Sequence, residues 1–88
     1  MEELAKEIRA LIENQFEGAQ ADIEPISEYK VGGTILWDGF DEQRQSDRQQ
    51  MLWEVLRNNL NPQQQMGIAT LLTFTPVEVQ EMQQTLAA

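Results

Sequence analysis

The stretch ILWDGFDEQRQSDRQQMLWEVLR, residues 35–57, decides the fold of this chain. Its first residues belong to a β-branched, aromatic and apolar run at residues 34–37, which is typical of a central strand covered on one face and partly on the other. Asp38-Gly39 then predicts a turn, followed by a polar loop over residues 40–45. An amphipathic helix is expected to begin at Ser46, because Ser46 and Gln49 have the spacing of a capping box.

The segment before this stretch predicts a helix and a short strand. Residues 2–16 place apolar side chains at helical spacing, and Glu17-Gly18 is expected to end that helix, with Gly18 left-handed. Residues 20–29 alternate loosely, and Pro25 places their strand at a sheet edge, because proline cannot donate to a ladder. Gly32-Gly33 is expected in a turn or bulge rather than in a phosphate-binding loop.

The segment after residue 57 predicts a short helix, a strand and a last helix. Asn61-Pro62 begins the short helix and Gly67 ends it. Residues 68–74, IATLLTF, form the strand, and Thr75-Pro76-Val77-Glu78 is a second capping box. The expected order is α-β-β-α-α-β-α, an α+β fold with a three-stranded mixed sheet covered by helices. The second and third strands are parallel if they are adjacent.

Composition excludes several classes of function. The 88 residues fit one domain, 1–88, and they include no Cys and no His. Disulfides, thiolate metal sites and thiol catalysis are therefore excluded, and the commonest general base is absent. No apolar run approaches the roughly 18 residues of a membrane span, and no signal peptide is evident, so a cytoplasmic location is expected.

The charge balance bears on the kind of partner. The net charge is −9 and only six residues are Lys or Arg. Phosphates and anionic membranes are bound mainly by Lys and Arg, so this balance disfavours nucleic acid and membrane surfaces. A basic protein partner is compatible with it, and so is plain solubility.

Three segments resemble the BolA-like family, whose fold is related to the class II KH domain. Residues 33–37, GTILW, lie where that family has its central strand. Residues 40–56 resemble its Phe, turn and Arg-led helix, and residues 68–78, IATLLTFTPVE, resemble its last strand and "T-x-T-P-x-E" exit. The resemblance covers nearly the whole chain.

Two departures from the family bear on function. The family commonly carries His after the Arg that Arg48 matches, and His at the start of the last strand; here these positions are Gln49 and Gly67. The resemblance implicates those histidines in sharing an iron–sulfur cluster with a monothiol glutaredoxin. Gln and Gly side chains do not take that role, so no cofactor and no metal site are predicted.

The leading hypothesis is a non-catalytic BolA-like module of protein interaction or regulation, with a protein partner that the resemblance implies to be a monothiol glutaredoxin. Trp53 lies off the apolar face of its helix and is expected to anchor an interface, unless the loop or the C-terminal segment covers it. The predicted partner-binding residues are Phe40, Arg44, Arg48, Gln49, Trp53 and Arg57.

Two alternatives remain. A nucleic-acid-binding transcriptional regulator of KH-like fold would need Arg44, Arg48 and Arg57 to form a basic strip. A small enzyme is the weakest hypothesis, because Cys and His are missing, and no catalytic residue is predicted.

Overall fold

The computed structural model describes residues 1–87, and Ala88, the last residue of the predicted domain 1–88, lies outside them. The predicted order α-β-β-α-α-β-α is confirmed, with one added 3-10 turn at Asp38–Phe40. The elements are α1 (Glu2–Gln15), β1 (Gln20–Pro25), β2 (Val31–Leu36), α2 (Gln45–Asn59), α3 (Pro62–Met66), β3 (Ile68–Phe74) and α4 (Pro76–Ala87). Within the described residues no helix is both long and apolar enough to cross a membrane.

The sheet has three strands in the order β1-β2-β3, so β2 is central. β1 runs antiparallel to β2 and β3 runs parallel to it. The chain passes from β2 to β3 through α2 and α3, as a connection between parallel strands requires. The predicted mixed sheet is confirmed, and Pro25 is the last residue of the edge strand β1.

One face of the sheet carries the hydrophobic core. Alternate residues of the strands, such as Ile23, Ile35 and Leu71, point to this face and are buried against α1 and α2. The other buried apolar residues are Ala5, Ile8, Ile12, Phe16, Ala19, Ala21, Val31, Phe40, Leu52, Leu56, Leu60 and Ile68.

An aromatic cluster fixes the chain where β2 leads into the polar loop. The Trp37 ring lies 5.0 Å from the ring of Phe16 and 5.1 Å from that of Phe40, measured between centroids. Trp37 Nε1 also donates to the carbonyl of Glu17 at 2.8 Å. Phe40 is fully buried, so the loop that follows begins from a fixed point.

The glycine pair of β2 allows three strands to approach closely. A Cβ on Gly33 would lie 1.9 Å from the carbonyl oxygen of Asp22, and one on Gly32 would lie 2.9 Å from that of Thr70. The pairing of β2 with β3 shifts register between Val31 and Gly32, which leaves Ala69 as an extra residue in β3. The pair was expected in a turn or bulge; it lies inside β2 instead, next to this irregularity of the pairing with β3.

The helix boundaries confirm all but one of the predicted signals. Asn61 and Gln64 form a reciprocal capping box at α3, and Gly18 adopts a φ of +86° after α1. The box predicted at Ser46 is wrong: α2 begins at Gln45, and its N-cap, Arg44, makes no side-chain cap bond.

Two adjacent leucines of β3 test the placement of the core. Leu71 is buried and Leu72 is 48% exposed on the opposite face of the sheet. Leu71→Ala should lower the free energy of unfolding by about 2–5 kcal/mol, because it leaves a cavity in the core. Leu72→Ala should cost less than about 1 kcal/mol. Urea denaturation measures both, and equal costs would show that β3 is not oriented as described.

Candidate functional site

Arg48 is the centre of the region that the sequence analysis selected. Its side chain is buried, and its Nε donates to the carbonyl of Gln43 at 3.0 Å. Nη1 and Nη2 donate to the two carboxylate oxygens of Glu78 at 2.8 and 3.2 Å, and Nη1 also reaches the carbonyl of Thr73 at 3.4 Å. The guanidinium lies 5.7 Å from the ring centroid of Phe40. Arg48 therefore joins the polar loop, β3 and α4.

Two glutamines of α2 cover the outer edge of β3. Gln49 Nε2 donates to the carbonyl of Leu71 at 2.8 Å. Gln45 Nε2 donates to the carbonyl of Thr73 at 3.2 Å and its Oε1 accepts from the Thr73 hydroxyl at 2.7 Å. An open strand edge offers such carbonyls to another chain, so these side chains protect β3 from edge pairing.

Glu78 completes the contact between Arg48 and α4. Its Oε1 accepts from the amide of Thr75 at 2.8 Å, and its own amide donates to Thr75 Oγ1 at 3.2 Å, which confirms the second predicted capping box. The hydrogen bond from Arg48 and then that from the Thr75 amide lower the pKa of the Glu78 carboxyl below its ordinary value of 4.5. The carboxylate thus remains ionised where it holds the start of α4.

The predicted partner-binding residues divide by exposure. Arg44 and Arg57 are exposed, whereas Phe40 and Arg48 are buried. The expectation that Trp53 is exposed is wrong in part, because its side chain is half-buried and packs against the core. Their role in binding a partner stays a prediction.

Gly67 occupies a buried position where a larger side chain would require the Leu4 side chain to move. A Cβ there would lie 2.8 Å from Leu4 Cδ2 and 3.3 Å from the carbonyl oxygen of Gln64. The backbone is in the ordinary helical region, with φ −78°, so the restriction comes from packing. Leu4 of α1 therefore restricts the space at the position where the resemblance to the BolA-like family implies His.

The acidic residues of the polar loop are not clustered around a common point in the described part of the chain. Across residues 1–87, no three carboxylates are grouped so as to hold a metal ion. The Arg48–Glu78 ion pair was not predicted from the sequence. Its position was available from periodicity, because Arg48 lies one turn before Leu52 on the apolar face of α2.

Comparison with solved structures identifies the fold. BolA1 from Arabidopsis thaliana aligns with a TM-score of 0.66 and 22% identity, covering 85% of this chain and 94% of that chain. The BolA domain of SufE1 from the same plant aligns with a TM-score of 0.65 and 19% identity, covering 84% and 93%. No family model and no curated protein sequence matches. The chain therefore has a BolA-like fold, as predicted, and at this identity the likeness shows the fold alone.

The Glu78 carboxylate gives the stability of the chain a dependence on pH. Because its folded pKa is lowered, its contribution is present above 4.5 and is lost as the pH falls through the folded pKa. Glu78→Gln should therefore be less stable than the wild type at neutral pH, by an amount that shrinks in acid. Thermal melts over this range measure it, with Glu54→Gln on the exposed side of α2 as the control. A difference that does not change with pH would contradict this role.

Gly67→His tests whether α1 closes the family's His position. We expect the free energy of unfolding to fall by about 1–2 kcal/mol, because the new side chain overpacks against Leu4. In a Leu4→Ala background the same substitution should cost less than in the wild type. The four proteins of this double-mutant cycle are compared by urea denaturation. The same cost in both backgrounds would mean that Leu4 is not the obstacle.

Proposed function

We propose that this chain is a single-domain, cytoplasmic, non-catalytic BolA-like module that binds a protein partner through the polar loop and α2. Its own side chains ligate no iron–sulfur cluster, because it has neither His nor Cys and because Gln49 is committed to the carbonyl of Leu71. Phe40, Arg48 and Gln49 serve as positioning residues in this proposal. Arg44, Arg57 and the exposed part of Trp53 contact the partner.

The distribution of cations carries the proposal. The chain has six Lys and Arg residues. Three of these side chains donate to carbonyls within the chain, namely Arg9, Lys30 and Arg48. Within residues 1–87 the other three have no side-chain hydrogen bond or ion pair, and two of these, Arg44 and Arg57, lie at opposite ends of α2. On a chain of net charge −9, this helix thus offers the main free positive charge to an acidic patch of a partner.

The anchoring of α2 also supports the proposal that the partner binds to the exposed side of this helix. Gln45, Arg48 and Gln49 hold its first turns on β3 and on Glu78. A surface that is already fixed loses little conformational entropy when a partner binds. The exposed arginines are thus presented at a set spacing, about 20 Å along the axis at roughly 1.5 Å per residue.

The burial of Arg48 argues against the alternative function, a nucleic-acid-binding regulator. The basic strip that it needs would run through Arg48, which is buried in its ion pair with Glu78. Exposed Asp47 and Glu54 lie on the helix between the two remaining arginines. Alternating charges of this kind do not neutralise a run of phosphates.

A purified monothiol glutaredoxin is the partner to test, because the resemblance to the BolA-like family implies it. Isothermal titration calorimetry would compare the cluster-free glutaredoxin with its [2Fe–2S]-loaded form. We expect binding in both forms with similar affinity, since this chain supplies no ligand to the cluster. Much tighter binding of the loaded form, with altered visible absorption of the cluster, would contradict the proposed absence of ligation.

Arg57→Glu should weaken that binding by about fivefold to tenfold, because it reverses a charge at the proposed contact. Lys6→Glu is the matched control, since it makes the same change in net charge on the exposed side of α1. Equal weakening by the two variants would indicate attraction by overall charge rather than contact with α2. No binding of wild-type protein would remove the glutaredoxin from the proposal.

A further inference from the structure

The face of the sheet opposite α1 and α2 contains an open groove of about 340 Å³. Strand residues line it, together with Ile26 from the β1–β2 turn. Cross-strand pairing orders these residues in two rows. One row is Asp22, Thr34 and Leu72, and the other is Glu24, Gly32 and Thr70.

These rows give the groove two unlike walls and a low floor. The wall on β1 is acidic, because Asp22 and Glu24 both point to this face. The wall on β3 carries Leu72. The floor on β2 is low, since Gly32 has no side chain and Thr34 has a short one.

The apolar part of the groove is uncovered. Leu72 is 48% exposed and Ile26 is 61% exposed, although both lie next to the same concave surface. Ile26 Cδ1 lies 3.5 Å from the position that a Cβ on Gly32 would occupy, so the Ile26 side chain lies above β2 at Gly32. A partner that covered these side chains would gain the free energy of their burial.

The carboxylates of the acidic wall are exposed and have no cationic partner within the described residues. Neither Asp22 nor Glu24 has a side-chain hydrogen bond or an ion pair within the described part of the chain. Two residues apart on one strand, the carboxylates stand about 7 Å from each other. That is also the distance between alternate side chains of an extended peptide.

We propose that this groove binds an extended, basic segment of a partner protein in which Lys or Arg alternates with apolar residues. Such a segment would lie over β2 between the two walls. One set of its alternate side chains would then meet Asp22 and Glu24, and the other set would meet Leu72 and Ile26. Because β1 and β3 are about 10 Å apart across β2, the space fits one extended chain.

Charge argues for this occupant over a second copy of the chain. Each copy carries a net charge of −9, and two acidic walls brought together would repel one another. The groove lies on the other side of the sheet from α2, so this inference goes beyond the proposed function and does not depend on it.

Fluorescence anisotropy with a labelled peptide, Lys-Leu-Lys-Leu-Lys, tests the proposal on the full chain at low ionic strength. The Asp22→Asn and Glu24→Gln double variant should weaken binding by about fivefold or more. The matched control is the Glu13→Gln and Glu54→Gln double variant, which removes the same charge from exposed positions on α1 and α2. It should change the affinity less than about twofold. Equal effects of the two double variants would overturn the proposal.

A second pair of measurements tests the apolar wall and the pattern. Leu72→Ala should weaken peptide binding by about threefold, while the fold is retained. A peptide of the same composition without alternation, Lys-Lys-Lys-Leu-Leu, should bind more weakly than the alternating one. Equal binding of the two peptides would overturn the proposal, because it would mean that only charge is recognised.

Two further results separate this groove from the other surfaces. Arg57→Glu should leave peptide binding unchanged, which keeps the groove distinct from α2. Sedimentation of the wild type and of Leu72→Ala distinguishes a second copy as the occupant. Self-association that Leu72→Ala abolishes, in a protein that does not bind the peptide, would overturn the proposal.

Discussion

The arrangement of this chain depends on the buried guanidinium of Arg48. A cation removed from water must be compensated by opposite charge and by acceptors for its donors. Here the carboxylate of Glu78 and the carbonyls of Gln43 and Thr73 supply them. Because these partners lie on α4, the polar loop and β3, one side chain fixes three segments against α2. The Phe16, Trp37 and Phe40 rings fix the start of the same loop from the core side.

The sequence predicts what local chemistry determines. The strand at residues 68–74, the start of α3 at Asn61 and the capping box at Thr75 are found where they were expected, since each depends on neighbours within a few residues. The predicted start of α2 at Ser46 is wrong because Gln49 makes a contact that is distant in sequence. Gln49 has the spacing to cap Ser46, but its amide bonds instead to a carbonyl 22 residues away. Periodicity places Arg48 on the apolar face of α2, but its partner Glu78 lies 30 residues away and no local pattern reveals it.

The two positions that the resemblance to the BolA-like family assigns to His take part in the packing of this chain. Gln49 holds the edge of β3, and Gly67 lies against Leu4. The surfaces proposed for partners are the outer side of α2, with Arg44 and Arg57, and the open face of the sheet. They lie on opposite sides of β2 and differ in charge, so each favours its own kind of partner.

Amide hydrogen exchange of Arg48→Met measures the central claim most directly, namely that Arg48 joins α2, β3 and α4. The account predicts faster exchange at the amides of Thr75 and Glu78, because both are held by the box that Arg48 anchors. Amides of the central strand β2 should keep most of their protection. Unchanged exchange at Thr75 and Glu78 would contradict the account, since α4 would then be held independently of Arg48.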